Sequence, residues 1–135
     1  MTLDLSSLEK SVDSLRRSIN AANMDTVSEC PEISEAVRAG VIQNFEVAYE
    51  LSWKFIQRWI RENRTPEDAD YPRTRKELFR HAAEYGLVSD PERWFVYGDA
   101  RNLTSHTYNE DQAAAVYEIA NNFLADSEFL LKQLQ

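Results

Sequence analysis

The chain has 135 residues, with 15 lysines and arginines against 23 acidic residues and a formal net charge of −8. That length is expected to form one domain, residues 1–135, with room for a real core, and three glycines with four prolines are too few for the turns of a sandwich or barrel. The charge excludes general coating of nucleic acid, which needs a cationic surface, and the single Cys30 excludes an internal disulfide and a cysteine-based zinc cage.

The first ten residues, MTLDLSSLEK, carry acids where a signal peptide has a basic start. Leu8, Val12, Leu15, Ile19 and Ala22 then recur at spacings of three and four, which predicts an amphipathic helix over 3–22. The polar segment NMDTVSEC interrupts that pattern. Pro31 suits the first turn of a second helix that continues to about Asn63. Projected at 100° per residue, Val41, Ile42, Phe45, Ala48, Tyr49, Ser52, Trp53, Ile56, Trp59 and Ile60 form its core stripe. NRTPEDADYP reads as a loop. Thr74 with Glu77 is a capping-box pattern opening a third helix, and Gly86-Leu87 is a C-terminal cap. Asp90-Pro91-Glu92 opens a fourth helix carrying Trp94, Phe95 and Tyr97 towards Arg101. Asn109 with Gln112 starts the last, whose apolar set is Val116, Ile119, Ala120, Phe123, Leu130, Leu131 and Leu134. No apolar run approaches the roughly 18 residues of a membrane span, so the expectation is a cytoplasmic all-α protein. Short loops favour an antiparallel up-down four-helix bundle with an additional short helix.

Charge is unevenly spread. Residues 51–101 hold ten of the fifteen bases, whereas the flanking thirds are strongly acidic. Arg58, Arg61, Arg64, Arg73, Arg75, Lys76 and Arg80 lie close together there. They make either a solvated face of mixed charge or a cationic patch for phosphates.

One stretch carries chemistry, RNLTSHTY, with Arg101, Asn102, His106 and Tyr108 within eight residues. Arg101 and Tyr108 share a face of a continuous helix, but Arg101 and His106 diverge by about 140°. Convergence therefore needs a helix end near Ser105 or a second subunit, and the Ser/Thr/Asn run favours the helix end. Such a group suits metal-free cleavage of RNA. His106 can move a proton near neutral pH, Arg101 offers a rigid fork to a phosphate gaining charge, and the RNA 2′-hydroxyl supplies the nucleophile. Asn102 can orient the phosphate and Tyr108 can hold the imidazole. The plainer alternative is that Arg101 and His106 cap carbonyls or pair with acids such as Asp99 or Glu110. Glu46, at the edge of the core stripe, is a candidate to orient Arg101 or His106 across the bundle. Glu50 is read as pairing with Lys54 along its own helix. Gly98, one turn before Arg101, allows close helix approach or leaves room for a ligand. The two histidines and one cysteine lie too far apart in sequence for a zinc set, so no metal and no cofactor are expected.

The segments IQNFEVAYELSWKFI and RKELFRHAAEYGLVSDPERWFVYGDARNLTSHTY resemble the nucleotidyltransferase substrate-binding protein family of the HEPN superfamily. The resemblance runs from about Leu8 to Leu131, and its most specific residues are Phe45-Glu46, Glu50-Leu51, Trp53-Lys54, Gly86-Leu87, Trp94 and Arg101-Asn102…His106-x-Tyr108. It implies a helical bundle that pairs as a homodimer, with a minimal nucleotidyltransferase encoded by a neighbouring gene. It further implies a metal-independent ribonuclease motif, Arg101 and His106 separated by four residues. Tyr108 would then accept AMP from the nucleotidyltransferase, as in toxin–antitoxin modules. Two functions follow: an endoribonuclease toxin silenced at Tyr108, or a non-catalytic subunit that presents substrate to the nucleotidyltransferase.

Overall fold

The periodic apolar residues at the start of the chain become the buried side of α1 (Ser6–Ala22). Leu8, Val12 and Leu15 are wholly buried there. The computed structural model describes residues 3–64, 74–104 and 109–135. The polar segment after α1 is not a plain break, because it holds a single-turn helix, α2 (Asp25–Ser28). Pro31 then opens α3 (Pro31–Asn63), whose 33 residues extend about 50 Å at 1.5 Å per residue.

The next three helices begin at side-chain caps. Thr74 accepts a hydrogen bond from the Glu77 amide ahead of α4 (Arg75–Glu84). Asp90 accepts from the Glu92 amide ahead of α5 (Pro91–Leu103). Asn109 accepts from the Gln112 amide ahead of α6 (Glu110–Leu134). Each cap satisfies an amide that the first helical turn leaves without a partner. Gly86 ends the α4 segment with φ of 78°, and the Leu87 amide donates back to the Ala82 carbonyl, as a left-handed glycine cap requires.

Helices α1, α3, α5 and α6 make the up-down bundle. Short α4 lies against α3 and α5, and α2 against α3. Side-chain pairs between α5 and α6 fix their sense: Tyr97 reaches Asn122, while Arg93, one turn earlier, reaches Asp126. Residue numbers rise on one helix as they fall on the other, so the two are antiparallel. Among the described residues no helix is long and apolar enough to cross a membrane.

One continuous core joins all the long helices. Its centre is aromatic: Tyr49 contacts Phe45, Phe79, Trp94 and Phe123 at ring-centroid separations of 6.2–6.5 Å. Trp94, Tyr97 and Phe123 add edge-on contacts at 5.0–5.5 Å, the geometry aromatic quadrupoles prefer. Most of the expected α3 stripe is buried, including Ser52, whose hydroxyl donates to the Ala48 carbonyl. Trp53 and Trp59 depart from it and are only half-buried, while Phe55, outside the stripe, is buried. A single 100° projection assumes one covered face. The C-terminal half of α3 instead has α4 against it, which shifts the buried arc.

Two features set the position of α5. Asp126 on α6 is buried, accepts two hydrogen bonds from Arg93 (2.9 and 2.6 Å) and a third from the Tyr97 hydroxyl. Burial, reinforced by that hydrogen bond to Asp126, pushes the Tyr97 hydroxyl far above its ordinary pKa. At the next residue, Gly98 faces Tyr49. A Cβ at residue 98 would lie 2.7 Å from the Tyr49 hydroxyl oxygen, and Tyr49 is 1% exposed with no free direction to retreat.

Gly98→Ala should therefore destabilise the protein, although alanine gains about 1 kcal/mol over glycine in a helix. In a Tyr49→Phe background the clashing oxygen is gone and the same substitution should become stabilising. Urea denaturation of the four variants reads that reversal of sign, and the same sign in both backgrounds would refute the steric account.

Candidate functional site

Arg101 falls one turn after Gly98, in the last turn of α5, where the helix dipole favours a cation. Its guanidinium is turned inward to α3. Nε lies 3.5 Å from Oε1 of Glu50, and Nη1 lies 3.9 Å from Oε2 of Glu46. The side chain is 28% exposed. Its Nε is buried and makes no hydrogen bond, so the Glu50 contact is an ion pair without hydrogen-bond geometry. Nη1 also donates to the Thr104 hydroxyl at 3.4 Å, and that hydroxyl donates at 2.7 Å to the Arg101 carbonyl. The end of the helix thus closes over the guanidinium stem.

Glu50 is the hub of the site. Its Oε2 accepts a hydrogen bond from the Trp53 indole at 3.0 Å. Its Oε1 faces both Arg101 and Arg75, the latter at 3.6 Å. Arg75, at the first position of α4, lays its guanidinium over the Trp53 ring at 4.3 Å and near the Tyr49 ring at 5.7 Å. Burial raises the Tyr49 hydroxyl pKa above its ordinary value, and the neighbouring Arg75 pulls it the other way. Two carboxylates and two guanidiniums are therefore matched on one face of α3. The arrangement holds an arginine fork in a fixed direction, which is what recognition of a phosphate requires. Among the described residues no group of three His, Cys, Asp or Glu side chains is set to hold a metal ion.

Next to this cluster is a cleft of about 270 Å³, lined among others by Arg75, Lys76, Phe95, Asp99 and Asn102. The sequence-derived site residues divide as follows. Arg101 and Glu46 come within ion-pair distance, and Asn102 lines the cleft. His106 and Tyr108 lie outside the described residues. The described part of α5 ends at Leu103, and Ser105, near which the helix end is expected, lies outside the described residues. Gly98 makes room for the Tyr49 hydroxyl.

The sequence marks Glu50 only as part of the family resemblance and Arg75 only as one of a group of bases, and gives neither a role at Arg101. The helical spacing pairs Glu50 with Lys54, but the Lys54 ammonium lies over the Trp53 ring at 5.7 Å, and Glu50 turns to the two arginines. The available signal is the Glu46–Glu50 spacing, which sets two like charges one turn apart and demands cations from another element to offset them. The basic residues gather only in part. Arg75 and Lys76 line the cleft, and Lys76 and Arg80 lie over the Phe95 ring at 5.5 and 5.4 Å. Arg58 and Arg64 lie elsewhere, over Phe55 and over Trp59 and Tyr85, and Arg73 is outside the described residues.

A double-mutant cycle between Glu50→Ala and Arg101→Ala should give a coupling of about 1 kcal/mol, typical of a partly exposed ion pair. The Glu46→Ala cycle with Arg101→Ala should give less, since that contact is longer. Thermal or urea unfolding measures both, and equal couplings would show that the two carboxylates act alike.

Comparison with known proteins places this geometry in a family. Residues 3–135 match the family described as nucleotidyltransferase substrate binding protein like. A probable ribonuclease HepT of Haemophilus influenzae is 40% identical over 103 residues, covering 76% of this chain and 70% of that protein. A solved H. influenzae structure, described as the fold of a substrate-binding domain of a nucleotidyltransferase, superposes with a TM-score of 0.86. It is 34% identical, over 97% of this chain and 98% of that one. A crystal structure from Thermus thermophilus gives 0.75 at 28% identity, over 95% and 98% of the two chains. The chain belongs to the nucleotidyltransferase substrate-binding protein-like family.

Proposed function

We propose that this protein is the HEPN-type partner of a minimal nucleotidyltransferase and acts as the ribonuclease toxin of a toxin–antitoxin pair in the cytoplasm. The observation that carries the reading is the Arg101 guanidinium, held between Glu46 and Glu50 at the end of α5, with His106 five positions on in sequence. Similarity to a probable ribonuclease adds support. In the proposed reaction the 2′-oxygen of RNA attacks the adjacent phosphorus, losing its proton, and the bond to the 5′-oxygen breaks. His106 exchanges the proton with the attacking or leaving oxygen. The products are a 2′,3′-cyclic phosphate and a 5′-hydroxyl. Arg101 offsets charge on the phosphoryl oxygens as the transition state forms, and Asn102 orients them. Neither metal nor cofactor enters these steps.

The working unit in this reading is a homodimer. Val47, beside Glu46, and Leu103, two residues after Arg101, are 49% and 40% exposed, and such apolar side chains next to a polar site suit a subunit contact. Silencing follows at Tyr108. Its hydroxyl, giving up its proton, attacks the α-phosphorus of ATP on the nucleotidyltransferase, pyrophosphate leaves, and the tyrosine carries AMP. The added phosphodiester would engage Arg101 and exclude RNA by charge and bulk. A second reading, a non-catalytic subunit presenting substrate to the nucleotidyltransferase, draws on one observation: at rest the Arg101 and Arg75 charges are already matched by Glu46 and Glu50.

Expression without the partner should arrest growth, and His106→Ala should relieve the arrest. Purified protein should cut single-stranded RNA in EDTA and leave DNA intact. Equal toxicity of wild type and His106→Ala would sink the nuclease and favour the substrate-presenting subunit. Intact-mass measurement after co-expression with the nucleotidyltransferase should show an added AMP that Tyr108→Phe abolishes. A spectrum without that added mass would remove the modification.

A further inference from the structure

We infer that the cleft between the start of α4 and the outer face of α5 is a subsite for one unpaired nucleobase, beside the phosphate held by Arg101. The inference rests on the nuclease reading for its substrate. Arg101 borders the cleft without lining it: its neighbour Asn102 lines the cleft, as does Arg75, which faces the same Oε1 of Glu50 as Arg101. A ligand entering the cleft is therefore beside Arg75 and close to Arg101.

The lining is what a nucleotide needs. Phe95 is half-buried in the wall and offers a π-face, the sequence-tolerant element of single-strand binding. Lys76 Nζ and the Arg80 guanidinium lie 5.5 and 5.4 Å from the centre of that ring. Both side chains are exposed, and a base stacking on the ring takes the place of one of them. Asp99 supplies an exposed carboxylate acceptor at the rim, better suited to the exocyclic amino group of adenine, cytosine or guanine than to uracil, whose one donor, the ring N3–H, is flanked by two carbonyls. Trp94, Tyr49 and Phe79 close the floor and are buried, so the base cannot pass deeper. The volume of about 270 Å³ is just below the roughly 300–1,000 Å³ of ordinary small-molecule sites. It admits one base and not a base pair, which makes the site selective for single-stranded RNA. The net charge of −8 also fits, since recognition through one stacked base and a few phosphates does not need a broad cationic surface.

The test uses the full-length protein with His106→Ala, to prevent cleavage. Binding of single-stranded hexamers of A, C, G and U is followed by fluorescence anisotropy beside an abasic ribose-phosphate hexamer. The A, C and G hexamers should bind about fivefold or more tightly than the abasic one, the scale of a single stacked base, with U weaker than those three. Phe95→Leu, which keeps apolar volume and packing but removes the ring, should erase the advantage over the abasic hexamer. Val96→Ala, on the neighbouring exposed position, should leave it. Phe95→Leu must melt within a few degrees of its parent, and Asp99→Asn, a surface change, then tests the rim independently by removing the discrimination against U. Abasic binding equal to that of the base-bearing hexamers, or an advantage that survives Phe95→Leu, overturns the subsite. The two readings fail separately: base-dependent binding without wild-type cleavage keeps the subsite and removes the nuclease, whereas cleavage without base-dependent binding does the reverse.

Discussion

The contact between Tyr49 and Gly98 sets the height at which α5 lies on α3, and the site depends on that height. Tyr49 is fixed from four sides by Phe45, Phe79, Trp94 and Phe123. Its hydroxyl occupies the space that any side chain at residue 98 would fill. Arg101 is three residues further along α5, close to one helical turn. Once Gly98 is seated on Tyr49, the guanidinium must arrive at the turn of α3 that carries Glu46 and Glu50. The core and the polar site are thus two sides of one stretch of α3. Tyr49 faces inward and fixes the register, and its neighbour Glu50 faces out and uses it.

Helix α5 is held at three levels along its 13 residues. Its first turns are tied to α6 through Asp126, which takes Arg93 and Tyr97 together. Its middle rests on Tyr49, and its last turn is held by Glu46 and Glu50. A buried carboxylate is costly unless its acceptor sites are filled, and three donors meet that requirement for Asp126. A reactive side chain carried on a helix fixed in this way loses little freedom on binding a ligand, the condition for a preorganised site. Similarity at a TM-score of 0.86 over nearly the whole of a family structure shows that this bundle is a shared framework and not a local accident.

Much of the framework is legible in sequence because it rests on local rules. The caps at Thr74, Asp90 and Asn109 and the turn at Gly86 are signals within four residues, and each appears as expected. Leu8 to Ile19 and Val41 to Ile60 are read from helical period alone. What escapes is decided by contacts between distant segments. Phe55 is buried, and Trp53 and Trp59 only partly so, because α4 covers part of α3 and no periodicity in α3 announces it. Asp126 looks like one more polar residue of the last helix, since its partners are 29 and 33 positions away. The same applies to Glu50, for which a local pairing rule names Lys54 while two arginines from other helices are nearer. In the site, Arg101 and Asn102 are found from their spacing and Glu46 from its place at the edge of a stripe. Arg75 stands out in sequence only as one of a group of bases.

Glu50 serves two arginines with one oxygen, and this has a kinetic consequence. When protein cations neutralise the phosphates of a nucleic acid, the ions condensed on the nucleic acid are released, so the grip tightens steeply as salt falls. Here the arginine has in addition a partner of its own, Glu50, which is part of the chain and cannot diffuse away. A phosphate that draws Arg101 off must compete with a carboxylate that stays within reach, and once the phosphate departs the carboxylate recaptures the arginine in a side-chain motion, not a diffusive encounter. Under the proposed function, such a built-in competitor would lower affinity for every anion alike, shorten residence times and hasten product release. It would also keep the fork aligned between encounters, so that an acidic protein could hold a cationic grip ready without attracting every polyanion around it.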